Sequence, residues 1–234
     1  MLRNMSDSAS HDMQDTRIAS RIDATCERWI ESHWRDCGGL ALRISHDLAA
    51  VVERPGRTRF DVCLRDAQLI APVRSQLPWL PFDDSAFAFI ALDRCAVDAD
   101  HWPTLLEECA RVLTGNGRLL VINVNPFGWV GCLDRFSGRA LAPPMYRLRS
   151  ELHALDLIDV HCERRLCWPP LPAALIDSIG DGLDLVGQRF WSTWASLYGL
   201  SARREQSNVI RIPLGRARPR AASVGVPQGL RRAG

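Results

Sequence analysis

The chain has 234 residues, of which 47% are hydrophobic, and a formal net charge of +2 at pH 7. This length accommodates one α/β domain with a full core, and the small net charge provides no strong field to attract a charged partner. All 29 basic residues are arginine, since the sequence contains no lysine. The composition therefore excludes a Schiff-base lysine, a lysine general base and a phosphate-loop lysine.

The eight cysteines are scattered, and no two of them form a Cys-x-x-Cys pair. Several lie in apolar runs, which favours reduced, buried side chains in a cytoplasmic protein over a disulfide framework or a zinc site. The sequence predicts no bound metal. It also predicts neither a signal peptide nor a membrane-spanning helix, because no stretch reaches the ~18 apolar residues that a span needs.

The predicted domain occupies residues 24–211 and lies between two polar extensions. Ser, Asp and Asn recur through the segment 1–23, and we predict that it is disordered. The tail, 212–234, contains several arginines and no acidic residue. This composition predicts a disordered extension and leaves open a weak, salt-dependent contact with nucleic acid or another acidic partner.

The segment 86–124 predicts a strand, a helix and a second strand. Residues 86–92 and 119–124 are apolar runs typical of strands in a parallel sheet that helices cover on both faces. Between them, 102–113 places apolar residues three and four positions apart, as on one face of a helix, and the turn 115–117 ends it. The sequence therefore predicts a right-handed βαβ unit.

The same patterns predict the other elements of the domain. The run 40–44 predicts the first strand, and either Ser45 or Asp47 can cap a helix that follows it. The remaining predictions are a helix over 26–34, a strand over 60–64, a helix over 145–155, a strand over 157–162, helical structure over 173–190 and a last strand within 191–201.

Three short motifs surround the predicted βαβ unit. The first precedes its first strand, and the other two lie in its helix and at the turn that follows. They are Leu80-Pro81-Phe82, Leu105-Leu106-Glu107-Glu108 and Arg111-Val112-Leu113 followed by Gly115-Asn116-Gly117.

In this order and spacing the motifs resemble a class I S-adenosylmethionine (SAM) methyltransferase of the type 11 group. They are similar to a branch of small proteobacterial methyltransferase-like proteins, and the match covers roughly residues 36–204. The resemblance implies an α/β fold: a three-layer, Rossmann-like methyltransferase domain whose seven-stranded, mostly parallel sheet has helices on both faces. It also implies the strand order 3-2-1-4-5-7-6, with the last strand antiparallel.

The resemblance further implies that SAM binds at the carboxyl ends of the first, second and fourth strands. The family has a glycine-rich turn after the first strand, which lets the backbone approach the cofactor, but here Ser45 and His46 occupy that turn. Asp66 would hold the ribose hydroxyls, although it fits a surface turn equally well. Gln76, followed by Leu77, stands where the family has an adenine-binding acid, and an amide oxygen can accept the same hydrogen bond.

Three more residues lie at the carboxyl ends of later strands, where α/β sheets place ligand contacts. Asp93 ends the fourth strand and would line the cofactor pocket. Asn125 and Trp129 follow the fifth strand and would line the substrate pocket, although Trp129 fits a helix-packing role equally well. No catalytic residue is identified, because methyl transfer depends mainly on alignment of donor and acceptor.

Two functions fit these observations. The leading expectation is a SAM-dependent methyltransferase that acts on an unknown acceptor in the cytoplasm. The alternative is a catalytically inactive pseudo-methyltransferase that has kept the fold and binds protein or nucleic acid. Three departures from the family pattern motivate the alternative: His46 stands in the glycine turn, and Gln76 and Ala88 stand where the family has acids. Several lost contacts of ~1 kcal/mol each would weaken SAM binding by orders of magnitude.

Overall fold

The computed structural model describes nine segments of the chain. Within them the backbone forms a nine-stranded sheet with helices on both faces. The described segments are residues 2–45, 50–54, 56–65, 68–71, 75–76, 79–95, 97–136, 142–167 and 173–205. The elements, in chain order, are α1 (Leu2–Arg35), β1 (Gly39–Ser45), β2 (Ala50–Arg54), β3 (Arg57–Arg65), β4 (Gln68–Ala71), β5 (Ser75–Gln76), β6 (Phe87–Asp93), α2 (Trp102–Val112), β7 (Leu113–Val124), α3 (Trp129–Phe136), α4 (Met145–Ala154), β8 (Leu157–Arg165), α5 (Ala173–Phe190), a 3₁₀ turn (Ser192–Trp194) and β9 (Leu197–Arg204).

The order of the central strands matches the predicted topology. The sheet runs β5-β4-β3-β1-β6-β7-β9-β8, and β2 also pairs with β3. The central strands β3, β1, β6 and β7 are parallel, whereas β9 is antiparallel to both β7 and β8. From β3 to β8 this order reproduces the 2-1-4-5-7-6 part of the prediction, including the antiparallel last strand, β9. The third position is held by β4, which is antiparallel to β3, and the described strands number nine instead of the predicted seven. Among the described strands, β1, β3, β5, β6, β7 and β8 share one direction and β2, β4 and β9 run opposite.

The structure departs from the prediction in the connection between the first two parallel strands. The prediction of a helix that begins at Ser45 or Asp47 is wrong, because Ala50 already belongs to β2, which pairs antiparallel with β3. A helical crossover needs about a dozen residues or more, and too few separate Ser45 from Ala50. β4 is likewise antiparallel to β3, so this side of the sheet is built from antiparallel strands.

The predicted βαβ unit is confirmed. β6 and β7 are parallel neighbours, and α2 connects them. The helix buries the apolar stripe that the sequence indicates, including Leu105, Leu106 and Cys109, all with no exposed surface. Together with α4, α2 covers one face of the sheet around Leu42, Ile90 and other strand residues.

The opposite face of the sheet is covered by α1. This helix begins at Leu2, so the segment 1–23, which was expected to be disordered, is helical from Leu2 onward. Ile22, Cys26 and Ile30 are four residues apart and are buried against the sheet, with Ile18 packed at the same cluster. A continuous apolar stripe thus extends α1 beyond the predicted helix. No helix in the described part of the chain is long and apolar enough to cross a membrane.

Candidate functional site

Ser45 and Asp93 lie next to each other where β1 and β6 end. In the parallel pairing of these strands Ser45 is the register partner of Asp93, and Asp93 is the partner of Ile122 in β7. The chain leaves β1 toward β3 on one side and leaves β6 toward β7 on the other. Such a divergence at the carboxyl edge of parallel strands is where α/β sheets place ligands. The structure therefore brings together two of the predicted cofactor residues at a suitable edge.

Asp93 is enclosed by two arginines. Its side chain has no exposed surface, and Oδ2 accepts a hydrogen bond from Arg43 Nη2 at 2.5 Å while Oδ1 accepts one from Arg94 Nε at 2.9 Å. Burial opposes ionisation, but the charges and hydrogen bonds of Arg94 and Arg43 outweigh it and hold the pKa of Asp93 below its usual value. Asp93 is thus a buried anion, and each of its oxygens already accepts a hydrogen bond from an arginine.

The arginine that holds Asp93 is also tied to α1. Glu27 of α1 accepts a hydrogen bond from Arg43 at 2.7 Å and another from Arg59 of β3 at 2.8 Å. Arg59 also pairs with Asp61 at 2.8 Å. Burial raises the pKa of Asp61 above its usual value, although Arg59 and Arg43 act in the opposite direction. These contacts form an ionic cluster between α1 and the sheet, and sequence reasoning missed it.

A signal for this ionic cluster exists in the sequence. Arg43 interrupts the apolar run of β1, and Arg59 and Asp61 alternate with apolar residues of β3 on the side that faces α1. Charged residues that face inward on strands of a covered sheet need buried partners. Glu27 could have been proposed as one such partner, because it lies among the apolar residues of α1.

The hydroxyl of Ser45 is one of the buried polar groups near this edge that the described residues leave unpaired. Ser45 is 1% exposed, and no described residue makes a hydrogen bond to its Oγ. A buried hydroxyl without a partner costs about 1–3 kcal/mol, so such groups in native proteins call for an explanation such as a ligand or water. A hydroxyl can donate to a carboxylate or accept from an ammonium group.

Asn125 connects the end of β7 to the chain that leads into β9. Its Nδ2 donates to the carbonyl oxygens of Thr193 and Ala195 at 3.0 and 2.8 Å, and its Oδ1 accepts from the backbone N–H of Phe127 at 3.1 Å. Asn125 therefore fixes two backbone segments at the carboxyl edge. Phe127 is 63% exposed and Trp194 is 67% exposed beside it, and neither residue was predicted as part of the site.

Trp129 begins α3 and packs with the cluster beneath α1, which agrees with the helix-packing alternative. Gln76 belongs to β5, which β4 and β3 separate from β1. The structure thus places the Gln76 backbone at the far edge of the sheet. His46, Asp66 and Leu77 lie outside the described residues.

Comparisons with known proteins were made for the sequence and for the fold. No family model matches the sequence, and a search of curated proteins returns no significant match. A SAM-dependent methyltransferase from Archaeoglobus fulgidus is similar in structure, with a TM-score of 0.49 and 10% identity over 79% of this chain and 94% of that chain.

Two further solved structures are similar to this chain. A putative sarcosine dimethylglycine methyltransferase from Galdieria sulphuraria has a TM-score of 0.43 and 13% identity over 78% of this chain and 86% of that chain. A geranyl diphosphate C-methyltransferase from Streptomyces coelicolor A3(2) has a TM-score of 0.46 and 14% identity over 78% of this chain and 76% of that chain. The methyltransferase-like fold of this chain rests on its own strand order.

Proposed function

We propose that the chain is a SAM-dependent methyltransferase that binds its cofactor at the carboxyl edge between β1 and β6. The observation that carries this proposal is the sheet order, with antiparallel β9, which the motifs around 80–117 led us to expect. The point where the connections diverge then falls at Ser45 and Asp93. The methyl acceptor is unidentified.

The described residues fit SAM in part. The methionine carboxylate or ammonium group would satisfy the buried Ser45 hydroxyl, which no described residue pairs. Asp93 has no exposed surface, and its two oxygens already accept hydrogen bonds from Arg43 and Arg94. The proposed cofactor contacts are therefore the hydroxyl of Ser45, with Asp93 in a supporting position. His46, Asp66, Gln76 and Leu77 stay proposals that depend on side chains beyond the described ones.

The cofactor would supply an electrophilic methyl group, and the protein would align the acceptor and exclude water. In this proposal Asp93 acts as a positioning residue, because it holds Arg43 of β1 and thereby the strand that ends in Ser45. Asn125 is likewise a positioning residue, on the side of the site where the methyl acceptor would bind. Its hydrogen bonds join the segment after β7 to the backbone of Thr193 and Ala195. A place for Trp129 in the wall of that pocket stays a proposal beside its packing with the cluster beneath α1.

Photo-crosslinking with isotopically labelled SAM tests the location of the site. Ultraviolet irradiation of the full-length chain with methyl-labelled SAM should label a peptide that contains Ser45 or Asp93, and excess S-adenosylhomocysteine should prevent the labelling. Label that is absent, or that maps to α4 or β8, would contradict the proposal. Of these two outcomes, complete absence of label would also favour the alternative, a pseudo-methyltransferase that uses the fold to bind protein or nucleic acid.

A contact between the tail, 212–234, and nucleic acid or another acidic partner is a separate proposal, supported by the arginine content of the tail. Such binding should weaken steeply as salt is raised. Deletion of residues 215–234 should therefore reduce retention on nucleic acid at low salt, and unchanged retention would refute the contact.

A further inference from the structure

A cavity of about 340 Å³ lies at the amino edge of the sheet, at the opposite end from the proposed cofactor site. It opens between the C-terminal end of α1 and the starts of β1, β6 and β7. Its lining includes Cys37 and Gly38, residues 114–117 near the start of β7, and the side chains of Arg118 and Arg203. None of these residues belongs to the proposed methyltransferase site.

The two arginines of this cavity face each other across paired strands. Arg118 of β7 is the register partner of Arg203 of β9 in an antiparallel pairing, so both side chains project from the same face of the sheet. Directly opposed residues have Cβ atoms about 4.5–5.5 Å apart, and like charges in that position repel. The free protein therefore holds two cations close together beside an open cavity.

Few negative charges offset this pair. Among the described residues, the carboxylate within ion-pair distance of either guanidinium is that of Asp36, whose Oδ2 lies 3.8 Å from Arg118 Nη1. Asp36 is 68% exposed, and such a solvent-screened contact contributes little. Burial raises the pKa of the Cys37 thiol, against the opposing effect of Arg118, so this side chain supplies no anion at neutral pH. The cavity keeps an excess of positive charge.

The backbone on both walls is open to a ligand. Gly38 and Gly115 are exposed, and no heavy atom lies within 4 Å of the position that a Cβ of Gly38 would occupy. Glycines of this kind let a ligand approach the main chain closely. An oxyanion could thus contact backbone N–H groups as well as guanidinium groups.

We propose that this cavity binds a small phosphorylated molecule whose phosphate group bridges Arg118 and Arg203. A guanidinium presents a planar set of donors that matches two phosphate oxygens, and two arginines together balance the charge of a phosphate dianion. Binding would replace the repulsion between the arginines by attraction to a shared anion. The volume exceeds what phosphate alone requires, so the phosphate would belong to a larger molecule.

Calorimetric titration of the full-length chain tests this site. The probes are inorganic phosphate and ribose 5-phosphate at fixed ionic strength, with ribose as the unphosphorylated control. The variants are Arg118→Gln and Arg203→Gln, and Arg149→Gln is the matched control because Arg149 is an exposed arginine on α4. The tail arginines are present in all of them and contribute equally.

We expect ribose 5-phosphate to bind more tightly than phosphate, and binding of both to weaken at least tenfold in Arg118→Gln and Arg203→Gln but not in Arg149→Gln. The absence of saturable binding to the wild type, or equal binding to all variants, would overturn the proposal. Tighter binding of inorganic phosphate than of ribose 5-phosphate would overturn the choice of a larger ligand. Because removal of one arginine relieves repulsion, neither variant should lower the Tm of the free protein.

Alkylation of Cys37 adds a readout at the cavity itself. Saturating ribose 5-phosphate should slow the modification of Cys37, measured by mass spectrometry, and should leave that of the exposed Cys132 unchanged. Equal modification of Cys37 with and without ligand would place the bound anion elsewhere and overturn the proposal.

Discussion

Arg43 and Asp93 join β1 to β6 through a hydrogen bond of 2.5 Å between Nη2 and Oδ2, inside the protein. Arg43 is 7% exposed and Asp93 is fully buried. The pair lies where the connections of the sheet diverge, and Glu27 extends it to α1. The edge that carries the proposed cofactor site is therefore held together by buried charges.

Asp93→Asn should strongly destabilise the fold. The substitution keeps the shape of the side chain but removes the closest anion of the buried Arg43 and one of the two carboxylates that pair with Arg94. Loss of one member of a buried pair costs about 3–5 kcal/mol. Urea unfolding measures the change. Asp84→Asn is the matched control, because Asp84 is 76% exposed in its pair with Arg111 and should cost less than about 1 kcal/mol. Similar costs for the two variants would contradict the account.

The contribution of Asp93 to the free energy of unfolding should disappear in acid. Burial alone would raise the pKa of Asp93, but Arg94 and Arg43 lower it below that of the unfolded chain, which is about 3.9. Such a group stabilises the folded state above the unfolded pKa, and the stabilisation is lost as the pH falls through the folded pKa. Asp61 acts with the opposite sign, because burial raises its pKa and acid relieves that cost.

The difference in unfolding free energy between the wild type and Asp93→Asn isolates Asp93 from its neighbours. We expect this difference to be constant from pH 7 down to about 5 and to shrink below about 4. Acid-dependent urea unfolding of both proteins measures it. A difference that stays constant down to pH ~2 would show that Asp93 is not a stabilising anion.

Gly199 of β9 allows Trp29 of α1 to lie against the sheet. A Cβ at Gly199 would lie 2.4 Å from the Trp29 ring, and Trp29 is 4% exposed. Gly199→Ala should therefore destabilise the protein by about 1–3 kcal/mol through overpacking. In the double variant Trp29→Leu/Gly199→Ala the cost should be less than the sum of the single costs, because the smaller side chain makes room. Additive costs in urea unfolding would argue against this contact.

Arg111 anchors the loop that carries Leu80 and Phe82. Arg111 Nη2 donates to the carbonyl oxygen of Leu80 and Nη1 donates to that of Phe82, both at 2.9 Å. Glu108 accepts a hydrogen bond from the backbone N–H of Leu80. Arg111→Lys cannot make these bonds together and should cost about 1–3 kcal/mol. It should also accelerate hydrogen exchange of the Leu80 amide. Arg149→Lys on the surface of α4 should change neither quantity, and equal effects of the two substitutions would refute the anchor.

The segment 86–124 could be predicted because its structure is local. Apolar runs and helical spacing in that segment define two strands and a helix without reference to distant residues. The antiparallel strand β2 could not be predicted in this way, since Ala50–Arg54 is a strand through its pairing with β3. Likewise α1 extends past the predicted helix because Ile18 and Ile22 find partners on a sheet formed much later in the chain.

The places of Ser45 and Asp93 in the sheet could be predicted, but their contacts could not. Ser45 and Asp93 end adjacent strands, as the resemblance implied, and pair in register. The partners of Asp93 were missed because Arg43 lies 50 residues away in sequence and is fixed only by the folded sheet. The contacts of Asn125 were missed for the same reason, since they join residues 68 and 70 positions apart.

The most direct test of the proposed function is calorimetric titration with SAM and S-adenosylhomocysteine of the wild type, Ser45→Ala and Ser150→Ala, an exposed serine on α4. We expect saturable binding to the wild type and Ser150→Ala, and binding about tenfold weaker to Ser45→Ala, which corresponds to ~1.4 kcal/mol for one hydrogen bond. Free Ser45→Ala should be at least as stable as the wild type, since the hydroxyl has no partner among the described residues. Failure of the wild type to bind either compound would contradict the proposed function.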